Sequence, residues 1–168
     1  MSEHPPISSP SARATSPGTG APPKTGFATL VPELAVTDIE VSLAFWCGPL
    51  GFRVAYDRPL ARFAYLERGP AQIMLCEMNG RWETGEAVRP FGRGINLQIE
   101  VDRLDALLNA LETAGCPLFE TPAEAWYRAG SVELGQREFL VQDPDGYLLR
   151  FIEGLGTRSV ESERSDPV

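Results

Sequence analysis

The sequence predicts an α+β fold built from two tandem βαβββ modules, and three observations predict it. Two strand-helix units are punctuated alike, each with an aspartate ahead of an apolar helix and a glycine behind it: Asp38 and Gly51, then Asp102 and Gly115. Two later segments, 63–77 and 139–153, are both 15 residues long, begin with Phe, end with Glu and turn at Gly69-Pro70 and at Pro144-Asp145-Gly146. Between them, Ile95-Asn96-Leu97-Gln98-Ile99-Glu100 alternates apolar with polar residues, the period of a strand with one buried face.

The first module, about 28–78, opens with a strand over 30–36, in which Glu33 shares a face with Val31 and Ala35 and opposes Leu34 and Val36. A helix over 38–48 follows. Ile39, Leu43, Trp46 and Leu50 recur at helical spacing, so Trp46 belongs to the core. Three strands, 52–57, 62–67 and 72–77, complete the module.

The second module, about 93–156, repeats that order. Its strand over 95–101 puts Asn96, Gln98 and Glu100 together on the face away from the core. Leu104, Leu107, Leu108 and Leu111 give the helix over 104–114 one apolar stripe. Strands are expected near 117–120, 138–142 and 147–153, with 121–134 as a long connection carrying Trp126 and Tyr127. A second loop, 79–93, carries Trp82.

The flanks read differently. Residues 1–27 are rich in Pro, Ser, Gly, Ala and Thr without periodicity, a composition that cannot offset ordering entropy, and 157–168 is polar and aperiodic; both are expected to be disordered tails. The formal net charge of −8 is concentrated in the body, which disfavours phosphate backbones and anionic lipid surfaces and favours cationic ligands. Nucleic acid is therefore not an expected partner. Three well-separated cysteines, Cys47, Cys76 and Cys116, fit reduced thiols, and no apolar run reaches the length of a signal or a membrane span. The expected compartment is the cytoplasm. The one histidine, His4, and the one lysine, Lys24, both fall in the first tail, so neither a histidine base nor a Schiff-base lysine is expected in the body.

Val36-Thr37-Asp38-Ile39, Phe45-Trp46, Leu50-Gly51-Phe52 and Phe139-Leu140-Val141-Gln142-Asp143-Pro144-Asp145-Gly146-Tyr147, in this order, resemble the bleomycin-resistance branch of the vicinal oxygen chelate, or glyoxalase-like, superfamily over residues 28–156. The resemblance implies one curved eight-stranded sheet with helices on the convex side and a cleft on the concave side. It also implies where the superfamily's metal-dependent members carry their ligands. Those positions here are Val31, Met74, Asn96 and Arg150. No metal and no other cofactor is expected, because valine cannot coordinate, a thioether is too soft, an amide is weak and a guanidinium repels a cation.

Proteins of this branch dimerise and capture a cationic, aromatic glycopeptide without chemistry. The resemblance therefore implies a cytoplasmic homodimer that sequesters a bulky, cationic aromatic small molecule, a bleomycin-type antibiotic first among them. The expected ligand-binding residues are Glu33, Tyr56, Met74, Asn96, Gln98, Glu100, Trp126, Tyr127 and Arg150; no catalytic residue is assigned. Arg137-Glu138-Phe139 matches the branch, but its stacking tryptophan two residues earlier is replaced by Gly135, so Trp126 and Tyr127 are the expected aromatic wall. The bland alternative for Arg150 is a salt bridge to Glu33 or Glu100. The alternative function is a metal-independent lyase or isomerase with Glu33 or Glu100 as base, and a third is an interaction domain whose N-terminal tail docks a partner.

Overall fold

The computed structural model describes residues 18–81 and 85–160. It is an α+β fold with two helices and nine strands in two mixed sheets among these residues. Strand β1 spans Thr19–Gly20, β2 Glu33–Val36, β3 Arg53–Arg58, β4 Phe63–Arg68 and β5 Ala71–Glu77, ordered β1-β3-β4-β5-β2. In the second sheet β6 spans Asn96–Glu100, β7 Leu118–Ala129, β8 Val132–Gln142 and β9 Leu148–Ser159, ordered β6-β9-β8-β7. The strands thus close into two separately hydrogen-bonded sheets where one eight-stranded sheet was expected.

Each sheet is an antiparallel meander whose last strand takes the first strand of its half as a parallel neighbour, β2 on β5 and β6 on β9. A parallel neighbour requires a crossover, and α1 (Ile39–Cys47) and α2 (Asp105–Thr113) lie in those crossovers. One apolar core joins both halves. Leu34, Val36, Leu66, Leu75, Ile99, Phe139, Val141, Leu149 and Phe151 from the strands meet Ile39, Trp46, Leu107 and Leu111 from the helices. Trp46 is fully buried, as its place on the helical stripe predicts. Its Nε1–H reaches Asp143 Oδ2 at 3.4 Å.

The matching ends of the two 15-residue segments have a structural role. Glu77 Oε2 accepts the backbone N–H of Ile39, the first residue of α1, at 3.0 Å, and Glu153 Oε2 accepts that of Leu104, just ahead of α2, at 2.9 Å. Each carboxylate satisfies an orphan donor and places negative charge at the positive end of a helix. Asp38 caps α1 as expected, accepting from Glu40 and Val41. Asp102 does not cap α2: the helix starts three residues later, without a side-chain cap, and Glu153 supplies the acceptor instead. Glu153→Ala should therefore cost about 1 kcal/mol of stability in a denaturant titration.

Arg62 and the Ile39 amide hold the Glu77 carboxyl below the usual glutamate range. A depressed folded value means that this stabilisation is present above the unfolded value and lost as pH falls through the folded one. The stability gap between wild type and Glu77→Gln should be widest near neutrality and close on acidification; a gap that does not change with pH would refute this role.

Three boundaries differ from expectation. Residues 18–27 are not a free tail: β1 pairs with β3 at Asp57 and Tyr56, Ala21 N–H donates to Ala55 O, and Lys24 N–H donates to the Glu67 carboxylate. Strand β9 runs on to Ser159, past the expected end of the body at 156. Residues 121–134 are not a connection but most of a hairpin, β7 with β8. The polar residues and Pro122 hide β7 from local pattern, and pairing with β8 overrides it. Residues 1–17, with His4, residues 161–168, and Trp82 lie outside the described residues.

Candidate functional site

The face of each sheet turned away from the core carries the residues expected to bind ligand, Trp126 excepted. On the first sheet Glu33, Met74, Tyr65 and Tyr56 form one cross-strand row over β2, β5, β4 and β3. Tyr56 stacks on Tyr65 with ring centroids 5.0 Å apart, and the Arg58 guanidinium lies 4.6 Å from the Phe63 ring centre and 5.8 Å from that of Tyr56. Met74 and Val31 pack into the same apolar patch around Ala55, Phe63 and Tyr65. Glu33 is exposed at the edge of the row. Asp57, the acid next to Tyr56, is engaged with Thr19 of β1.

On the second sheet Asn96, Gln98 and Glu100 share the far face, as their alternation predicts, and all three are exposed. Gln98 is the cross-strand neighbour of Arg150. Arg150 meets neither Glu33 nor Glu100 in an ion pair; its partner is Glu138, at a loose 3.9 Å. The Glu138 carboxylate also accepts the Tyr127 hydroxyl at 2.9 Å and the Gln136 side-chain amide, and the first of these bonds pushes the Tyr127 phenol up. Arg150 Nε is buried and without a hydrogen-bond partner. Glu138 and Gln136 were missed in the sequence, although the alternation against Phe139 and Val141 places both on this face.

Trp126 and Tyr127 do not form one wall. Adjacent residues of a strand point to opposite faces, so only Tyr127 joins the Glu138 cluster. Trp126 lies on the other face, the side on which Arg137 donates to Asp105 at the start of α2. There its indole covers Gly135, its cross-strand partner: a Cβ at 135 would stand 2.6 Å from the ring. The Arg158 guanidinium lies 4.1 Å from the indole centre. The indole of the neighbouring strand thus fills the space above residue 135, on the helix side of the sheet.

A cavity of about 740 Å³ opens where the two halves meet. Glu33, Ala35 and Cys76 line it from the first sheet, Tyr147 from just ahead of β9, and Glu86, Val88 and Phe91 from the segment between the sheets. Burial pushes the Cys76 thiol up, so at neutral pH it is a small apolar group more than a nucleophile. The junction is held by Asp145, which is 1% exposed and accepts from Thr37 N (2.9 Å), Thr37 Oγ1 (2.7 Å) and Arg89 Nη2 (2.6 Å). Tyr147 adds a bond from its hydroxyl to Ala35 O, and Phe91 N–H donates to Asp145 O. Of the expected site residues, Glu33 alone reaches this cavity.

The positions implied for a divalent ion do not suit one. Val31 and Met74 sit in an apolar patch and Arg150 brings a guanidinium with its own carboxylate. Among the described residues no group of three His, Cys, Asp or Glu could hold a metal. No helix among them is long and apolar enough to cross a membrane.

Residues 26–151 match the model of the Glyoxalase/Bleomycin resistance protein/Dioxygenase superfamily. The bleomycin resistance proteins of Geobacillus stearothermophilus and Staphylococcus aureus are 27% identical over 135 residues, 74% of this chain and 96% of theirs. Among solved structures, TioX from Micromonospora sp. ML1 superposes with a TM-score of 0.61 at 22% identity, over 77% of this chain and all of its own. A protein from the mobile metagenome of V. Pseudocholerae gives 0.57 at 22% identity, over 76% of this chain and 95% of its own. At that identity these two share the fold.

Proposed function

Since the chain belongs to the Glyoxalase/Bleomycin resistance protein/Dioxygenase superfamily, we propose that it is a metal-free binding protein that sequesters a bulky, cationic aromatic small molecule, a bleomycin-type antibiotic first among them. It acts as a cytoplasmic homodimer, and its two halves are tandem βαβββ modules whose far faces line the binding clefts.

The observation that carries this reading is the donor set at the superfamily's metal positions, Val31, Met74, Asn96 and Arg150, which offers apolar packing and a guanidinium in place of ligands. Two features support it. Tyr56, half-buried and backed by the buried Tyr65 on which it stacks, presents an aromatic ring of the kind that takes planar rings and cations. Glu138, beside Arg150, offsets the positive charge that the second sheet would set against a cationic ligand.

Calorimetric titration of the full chain with metal-free bleomycin, run beside a thermal-shift series, should give saturable heat and a rise in Tm. No heat and no shift at about 100 μM ligand would sink the antibiotic reading. If binding is found, Tyr56→Ala should weaken it about tenfold, the scale of one aromatic pair.

A further inference from the structure

Glu67 and Gln72 are cross-strand partners on the far face of the first sheet, and both are buried, 2% and 8% exposed. An exposed sheet face leaves such groups to water. Here they are covered by the chain's own residues 24–28, and their polar atoms are matched to that segment's main chain. Glu67 accepts the Lys24 N–H at 3.0 Å and pairs with Arg53. Gln72 Oε1 accepts the Ala28 N–H at 2.8 Å and the Tyr65 hydroxyl at 2.6 Å. Gln72 Nε2 donates to Gly26 O at 2.6 Å and to Thr25 Oγ1 at 3.2 Å. Between these contacts the Phe27 ring stands edge-on to Tyr65 and Tyr56, with centroids 5.6 and 6.4 Å away.

Three of these partners are peptide N–H and C=O groups, presented by a turn in which Gly26 N–H donates to Pro23 O at 2.9 Å and Gly26 adopts a φ of 76°, and the ring is the one large side chain recognised. A buried amide is tolerated when its donors and acceptors are met, and Gln72 uses both ends. We propose that the far face of the first sheet is a peptide-binding groove for a turn-forming segment with a glycine ahead of an aromatic side chain, filled in cis by residues 24–28.

The occupant is held lightly enough to exchange. Phe27 remains 62% exposed although its ring is the anchor, and Leu30 is 83% exposed. A segment with so little buried apolar surface opens at low free energy. Tethering gives it an effective concentration of roughly millimolar, which is what a free peptide must overcome. Removing the Phe27 ring, worth about tenfold by the usual scale of aromatic pairs, lowers that requirement by the same factor. The groove shares Tyr56 and Tyr65 with the surface proposed for the small molecule, but its test uses peptide alone, so either reading can fail without the other.

The test is a fluorescently labelled peptide with the sequence of residues 18–31, titrated into the full chain and followed by anisotropy. Phe27→Ala protein should half-saturate at roughly tenfold lower peptide than wild type. A peptide with Ala in place of its Phe should need roughly tenfold more to half-saturate either protein, and hydrogen exchange at residues 24–28 of the wild-type chain should quicken when the parent peptide is added. Equal half-saturation in wild type and Phe27→Ala, or no binding to Phe27→Ala protein whose circular dichroism is unchanged, overturns the proposal. Gln72→Leu in the Phe27→Ala background should abolish binding, and retained binding there overturns the assignment of Gln72.

Discussion

Asp145→Ala is expected to destabilise the protein by about 3 kcal/mol, the low end of the range for breaking a buried ion pair. The carboxylate accepts the backbone N–H and the hydroxyl of Thr37 and two guanidinium N–H groups of Arg89, so truncation strands donors from two separate segments. The low end applies because the Arg89 side chain is 56% exposed and its charge returns to water when the partner is removed. Thr37 has less freedom, since its N–H is fixed at the end of β2. Denaturant titration with linear extrapolation measures the loss. Hydrogen exchange at Phe91, whose N–H is held by the Asp145 carbonyl, should rise in parallel as the segment roofing the cavity loosens. A loss below about 1 kcal/mol would mean that Asp145 is an ordinary turn residue.

The second large effect is expected at Gly135. Backbone conformation there is not left-handed, so a side chain is resisted by space alone: a Cβ meets three carbons of the Trp126 ring at 2.6 to 2.7 Å. Gly135→Val should cost about 1–3 kcal/mol by overpacking, and more exactly defined than its size is its dependence on Trp126. In a Trp126→Ala background the same substitution should cost almost nothing, giving a coupling of about 1–3 kcal/mol in a double-mutant cycle. Additive effects would show that the indole does not occupy that space. By the same competition for space, Gly135→Trp should be tolerated only where Trp126 has been removed.

The fold was legible in the sequence wherever a pattern is local. Alternation placed Asn96, Gln98 and Glu100 on one face, because period 2 alone decides it, while Ile95, apolar and in phase, turns out to precede β6 and is 62% exposed. Helical spacing buried Trp46 and Leu111. What stayed hidden depends on partners distant in the chain. Nothing near Thr121 announces a strand; β7 exists because β8 is there to pair with it. The composition of residues 18–27 reads as disorder, and their placement rests on Glu67 and Gln72, more than forty residues away.

The site was legible in part for the same reason. Tyr56, Met74 and Glu33 do share a row, since hairpin register follows from the turn. Taking Trp126 and Tyr127 as one wall failed because neighbours in a strand diverge, a rule that applies only once the segment is known to be a strand. The salt-bridge partner of Arg150 was sought in Glu33 and Glu100, whereas Glu138 sits one strand over on β8.

The paired glutamates at the ends of β5 and in β9 also act as a measuring device. Each carboxylate must arrive at a helix start fixed by the opposite end of its half, so the hairpin before it has a set count of residues. Adding one residue between Phe63 and Glu77 would turn the carboxylate to the other face as well as displacing it, and the helix would lose its acceptor. The tip at Gly130 carries no such constraint, because the chain beyond it is registered again by β8 against β9. Length variation in this architecture is therefore free at the long hairpin's tip and forbidden in the two short ones, which accounts for two fifteen-residue segments of equal length in one chain.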